Sequence, residues 1–218
     1  MITSNDKIIV LIGSYARGDY NDRSDCDLVL INCNDIPTDI YILEKITAPV
    51  NIIKYDTNQF NSLYAKGSLF FYHILYEGLL ISGDREQWAI LKESFNVQQK
   101  FDKELRAINK RTVLLSNLPI FNDMFLTPLF NVYSELKNAC IFFLAENKIY
   151  EFNKSRCFSS ALDILGVQYP HEQLRIFYDY SVRNIDICLP FNPNKREPAG
   201  CLLKAAREIT RMMYDYCR

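Results

Sequence analysis

Histidine is nearly absent from this chain: His73 and His171 are the only two in 218 residues. The seven cysteines, Cys26, Cys33, Cys140, Cys157, Cys188, Cys201 and Cys217, form no Cys-x-x-Cys pair and no Cys/His cluster. That argues against a zinc framework, and an odd number of scattered thiols reads as free cysteines in a reducing cytoplasm. No apolar run approaches the length of a membrane span, and Met1-Ile2-Thr3-Ser4-Asn5-Asp6 does not read as a signal peptide, so no membrane partner is expected. An excess of charge is missing too. Lys and Arg total 25 against 26 Asp and Glu, a net of −1, which argues against nonspecific nucleic-acid binding by overall charge and leaves only a local basic groove. There is no internal repeat and no low-complexity tract. Glycine disappears between Gly83 and Gly166, and strand alternation disappears with it. What remains is apolar: 49% hydrophobic residues suffice for a sizeable core, in one large domain or two small ones.

The most informative stretch is Gly13 to Ile31, GSYARGDYNDRSDCDLVLI. The apolar run Ile8 to Ile12 leads into Gly13-Ser14, and a second apolar run, Leu28 to Ile31, follows Ser24-Asp25-Cys26-Asp27. Runs of this length bounded by turn residues predict buried strands. Between them Gly18, Asp19, Asn21 and Asp22 are turn formers, with the two aspartates exposed to water. Asp25 and Asp27 are two apart, so on a strand they share one face and point together at the mouth of the first turn, near Gly13-Ser14. Two hard oxygen ligands there suit Mg²⁺, which takes one or two carboxylates and completes its shell with water and substrate phosphate.

Gly13-Ser14 with Ser24-Asp25-Cys26-Asp27-Leu28 resembles the signature of the DNA polymerase β-like nucleotidyltransferases, and Ala16-Arg17-Gly18 makes the stretch most similar to the minimal nucleotidyltransferase branch. The resemblance implies a metal- and triphosphate-binding site. Gly13, Ser14, Arg17 and Ser24 would bind the nucleotide, expected to be ATP. Asp25 and Asp27 would be the catalytic residues and ligands of Mg²⁺ (or Mn²⁺). Arg17 reads either as a triphosphate contact or as a surface arginine. Tyr15 is expected to pack over the turn.

The remainder of the first part, residues 1–84, reads as a small mixed sheet with helices. Residues 39–46 suggest a short helix, with an extended stretch as the alternative. Ala48 to Tyr55 predicts a third strand, Asp56–Ala65 a helix capped by Asp56 or Thr57, Ser68–Tyr76 another helix stopped at Gly78, and Leu79 to Ser82 an edge strand. His73, amid Phe70, Phe71, Ile74 and Leu75, reads as a helix-surface or satisfied core histidine. One departure stands out. Members of the family carry a third metal-associated carboxylate near the start of the third strand, where this chain has Val50-Asn51-Ile52-Ile53. An amide is neutral and a poor base. Asp56, five residues on, reads as a helix cap. The metal is then held by Asp25, Asp27 and phosphate alone, or a carboxylate from elsewhere completes the site, or the enzyme is weak or inactive.

Residues 85–218 predict an antiparallel bundle of five or six helices, at Glu86–Phe95, Phe101–Leu118, Asp123–Asn147, Asn153–Leu165, Glu172–Val182 and Pro198–Tyr216. Tyr133-Ser134-Glu135-Leu136-Lys137-Asn138-Ala139-Cys140, with Ile149 to Lys154 and Ala161-Leu162, is similar to the HEPN bundles fused behind minimal nucleotidyltransferases. The HEPN ribonucleases need an arginine four to six residues before a histidine. Here Arg156 is too far from His171 and Arg175 lies after it, so RNA cleavage is not expected. His171 reads as an exposed residue at a helix start. Kanamycin-type nucleotidyltransferases also carry a helical domain behind this core, in which a carboxylate can act as base; Glu135 is the candidate here, with a solvated helix glutamate the plainer reading. Tyr178 and Tyr180 read as packing or interface residues.

The expected fold is therefore α+β: a nucleotidyltransferase domain at 1–84 and an all-α bundle at 85–218. The expected activity is Mg²⁺-dependent transfer of a nucleoside monophosphate to a hydroxyl of a protein or small-molecule acceptor, with a homodimer through the bundle as the assembly considered. The competing expectation is a weak or inactive antitoxin-like or scaffold protein that acts through protein interaction.

Overall fold

Five consecutive apolar residues can be buried on both faces of a sheet only in a central strand. Ile8–Ile12 does this as β1, with every residue buried. The computed structural model describes residues 1–22, 24–35 and 47–218. Strands β2 (Cys26–Ile31), β3 (Val50–Tyr55) and β4 (Leu79–Ser82) complete a sheet of order β3-β2-β1-β4. β1 is antiparallel to both β2 and β4, whereas β2 and β3 are parallel, so the sheet is mixed and Leu79–Ser82 lies at its edge, as the sequence predicts. The helix considered for 39–46 lies outside the described residues.

Side-chain alternation divides this sheet into two faces. Ile8, Val10, Ile12, Val29 and Ile31 join the helices α2 (Thr57–Ala65), α3 (Leu69–Tyr72) and α4 (Arg85–Ser94) in one core around Phe60, Phe71, Trp88 and Leu91. Ile9, Leu11, Cys26, Leu28 and Leu30 form a smaller cluster on the other face, with Tyr15 and Ala16 against it. Asp56 caps α2 through a reciprocal box with Gln59: its Oδ1 accepts from Gln59 N–H at 2.8 Å, and Gln59 Oε1 accepts from Asp56 N–H at 3.1 Å. Asp84 caps α4 in the same spirit, accepting from Glu86 and Gln87 N–H. The helix expected at Ser68–Tyr76 is not uniform. After α3 the chain widens into a π-turn at His73–Glu77, closed by Gly78 N–H on the His73 carbonyl at 3.2 Å.

The chain divides into the units Met1–Gln98 and Gln99–Arg218. The sequence places the division at 84/85; it falls later because α4 buries Trp88 and Leu91 in the core of the first unit. Periodicity identifies α4 as amphipathic but does not say which core receives its apolar face. The second unit holds α5 (Asp102–Leu115), α6 (Leu126–Glu146), α7 (Lys154–Leu165), α8 (His171–Val182) and α9 (Arg196–Tyr216). α6 supplies Leu129, Val132, Leu136 and Phe143 to a core that also takes Ile108, Phe158, Phe177 and Leu203. A helix with apolar residues this widely distributed must be covered on several sides, which the other helices do. The two units together make an α+β chain of the expected class: a small mixed sheet with helices, then a helical bundle.

Candidate active site

The end of β1 organises the local geometry. Ile12 pairs with Asp27 on β2, and Asp27 pairs in turn with Asn51 on β3, so these three residues stand in one row at one end of the sheet. The chain then turns into α1 (Gly13–Arg17), ended by Gly18 in the left-handed conformation at φ 77°. Gly13 itself has φ 73°, and a Cβ added there would lie 2.9 Å from Asp27 Oδ2. Both the positive φ and this close approach favour glycine at position 13. The Asp27 carboxylate therefore lies directly against the backbone of the β1–α1 turn. Its other oxygen, Oδ1, accepts a hydrogen bond from Asn51 Nδ2 at 2.9 Å.

Asp25 is half-buried and sits one residue before β2, in the last step of the connecting loop rather than on the strand itself. Asp25 and Asp27 flank Cys26 in the chain. Burial pushes the Cys26 thiol above its ordinary range, and the negative charges of Asp27 and Asp25 push it further. The two carboxylates thus act together on one point of the chain. Among the described residues, no group of three or more His, Cys, Asp or Glu side chains is gathered that could hold a metal ion. Asn51, opposite Asp27 on the ladder, contributes an amide and no carboxylate. Two carboxylates at a glycine turn still supply the hard oxygen donors that Mg²⁺ or Mn²⁺ takes from a protein when substrate phosphate and water complete the shell.

The other sequence candidates have distinct positions. The Ser14 hydroxyl makes no hydrogen bond among the described residues, while the Ser14 carbonyl accepts from Gly18 and Asp19 N–H and closes α1. The Ser24 hydroxyl is used within its own loop, accepting from Asn21 N–H at 3.0 Å. Arg17 is not a loose surface arginine. Its Nε donates to Asp19 Oδ2 at 3.1 Å and its Nη1 to Glu77 Oε2 at 3.3 Å. Glu77 Oε2 also meets His73 Nδ1 at 3.1 Å, and His73 is buried, so the satisfied core histidine is the reading that holds. Burial would raise the Glu77 carboxyl, but the His73 hydrogen bond and the charges of His73 and Arg17 outweigh it and hold the group below its ordinary range. Tyr15 stacks on Tyr20 with ring centroids 4.3 Å apart, covering the turn.

Glu135, the base considered from the bundle, is engaged: Arg111 grips both its oxygens, at 2.6 and 2.8 Å, in the bidentate geometry that favours an ionised carboxylate. His171 is half-buried rather than exposed, with its ring stacked on Phe158 at 4.4 Å and Nε2 3.4 Å from Glu172. Arg156 is paired with Glu151 at 2.9 Å. The Glu77 network was missed from the sequence. Its only local signal is the four-residue spacing of His73 and Glu77; Arg17 lies 60 residues away.

No protein-family model matches this chain, and no curated protein matches it. Among solved structures it is similar to the spectinomycin adenyltransferase AAD(9) from Enterococcus faecialis with ATP and spectinomycin, at a TM-score of 0.47 and 11% sequence identity, over 95% of this chain and 92% of that one.

Proposed function

We propose that the chain is a nucleotidyltransferase that moves a nucleoside monophosphate, AMP from ATP, onto a hydroxyl of a protein or small molecule. The observation that carries this reading is the seating of the Asp27 carboxylate against Gly13, at a strand–turn–helix junction whose sequence is Gly13-Ser14, with Asp25 just before β2 and Asp27 on it. In this reading Asp25 and Asp27 hold Mg²⁺ or Mn²⁺. The bound ion supplies neutralisation of charge on the triphosphate and alignment of attacking and leaving oxygens. The Gly13-Ser14 turn offers N–H donors and a hydroxyl to the distal phosphates. Asn51 keeps one Asp27 oxygen fixed through its amide but takes no proton, so the attacking hydroxyl meets no base at that position. Asn51 also favours the second reading, a weakly active or inactive interaction protein on the same fold.

Incubation with ATP labelled at the α-phosphate, Mg²⁺, and either cell lysate or a panel of small hydroxyl acceptors tests the proposal and identifies the acceptor class. Transfer of label to one pool is expected; absence of transfer to either, with Mg²⁺-ATP still bound, favours the interaction protein. Ser14 gives a sharper check of nucleotide orientation. Ser14→Ala should weaken ATP binding by about 1.5–3 kcal/mol, the worth of one hydrogen bond to a charged group, and leave AMP binding nearly unchanged. Equal losses for ATP and AMP would move Ser14 away from the distal phosphates.

A further inference from the structure

The Arg17–Glu77–His73 cluster lies outside the Asp25 and Asp27 pair, yet it is built at the same end of the sheet. β4 runs antiparallel to β1, and Leu79 pairs with Leu11, so Glu77, two residues before Leu79, arrives where β1 gives way to Gly13 and α1. The backbone there is held tightly. A Cβ at Gly78 would lie 2.6 Å from Val10 Cγ1 and would also strike the Ile74 carbonyl, so only glycine lets the π-turn close against β1 at this point. π-turns inside helices concentrate at functional sites. This one brings His73 Nδ1 and Glu77 Oε2 within 3.1 Å and lets the same oxygen reach Arg17 Nη1.

We infer that Glu77 is a positioning residue for the phosphate site: it fixes Arg17, one turn past Gly13, so that the guanidinium meets the triphosphate already in place. The inference rests on the nucleotide reading above. An arginine carries five N–H donors. The bonds to Asp19 and Glu77 engage one on Nε and one on Nη1, leaving donors for phosphate oxygens. A free arginine side chain loses rotamer entropy when a ligand immobilises it. Two carboxylates on a guanidinium that is only 15% exposed meet most of that cost before the nucleotide arrives. His73 in turn holds Glu77, which frees the carboxylate from choosing between rotamers.

The test is a double-mutant cycle on Mg²⁺-ATP binding, with AMP binding as the control. Glu77→Ala should lower Mg²⁺-ATP affinity about tenfold, the effect of one charge-assisted hydrogen bond, and leave AMP affinity within about twofold. In an Arg17→Ala background the same change should cost nothing further, because Glu77 acts through Arg17. Glu77→Gln, which keeps an oxygen acceptor and the side-chain shape, should recover part of the loss and replaces Glu77→Ala in the cycle if the alanine variant does not fold. Losses that add independently, or equal losses for ATP and AMP, would assign Glu77 a purely structural role and overturn the inference. Mg²⁺-ATP binding that falls in Arg17→Ala and is untouched in Glu77→Ala would overturn it while leaving the nucleotide reading intact. An unaltered chain that does not bind Mg²⁺-ATP at all would remove both.

Discussion

Replacing Asp25 and Asp27 together by asparagine is expected to abolish Mg²⁺-dependent ATP binding while the fold survives. Outer-shell partners alone are worth about 10- to 100-fold in metal affinity, so loss of two direct ligands should exceed that range. The fold should tolerate the change because neither side chain belongs to a hydrophobic cluster, and both are half-buried at the rim of the sheet. Asparagine at 27 can still accept from Asn51 Nδ2, and its amide nitrogen can occupy the place of Oδ2 beside Gly13. Calorimetric titration with Mg²⁺-ATP, beside a thermal melt, separates binding from folding. Unchanged binding in the double variant would remove the metal assignment.

Asn51→Asp should act in the opposite direction on metal. Asn51 is exposed and pairs directly with Asp27 across the parallel β2–β3 ladder, and its amide donates to Asp27 Oδ1. A carboxylate there converts a hydrogen-bonded pair into two like charges a few ångströms apart. Without metal, the variant should be less stable at neutral pH, and one of the two carboxyls should titrate above its ordinary range. The penalty should fade as pH drops through that raised value, because protonation removes the repulsion and restores a donor. With Mg²⁺ or Mn²⁺ the penalty becomes a gain. Divalent affinity should rise about tenfold, a modest share of the several decades over which ligand charge tunes such sites. Any transfer activity limited by the missing base should rise as well. A metal titration of both proteins checks this; identical affinities would mean that position 51 does not take part in the site.

The family resemblance placed Asn51 at the position of a third carboxylate, and the β2–β3 ladder pairs it with Asp27; the apolar residues of 50–55, Val50 and Ile52 on one face and Ile53 and Tyr55 on the other, predict a strand but do not choose its buried face. Gly13 was legible from its own neighbourhood: a strand end, a turn glycine and carboxylates twelve and fourteen residues on leave few arrangements. Asp56, Asp84 and Gly166 could be read as helix boundaries because capping is local chemistry, and all three act as caps. Long-range pairing was not legible. Nothing near Arg17 announces Glu77, and nothing near Glu135 announces Arg111; both partnerships depend on how elements meet in space. The π-turn at His73–Glu77 was invisible for a related reason. The apolar residues there fit an ordinary helix, and the widening accompanies a close approach of Gly78 to Val10 that periodicity does not report.

The central claim is a reaction at the α-phosphate of ATP, and parallel incubations with α-labelled and γ-labelled ATP test it most directly. With Mg²⁺ and an acceptor pool, the label should move to acceptor from the α position only, the γ-label should leave as pyrophosphate, and both signals should vanish in the Asp25→Asn/Asp27→Asn protein. Transfer of the γ-label to acceptor, or α-label transfer that persists without the two carboxylates, would contradict the account.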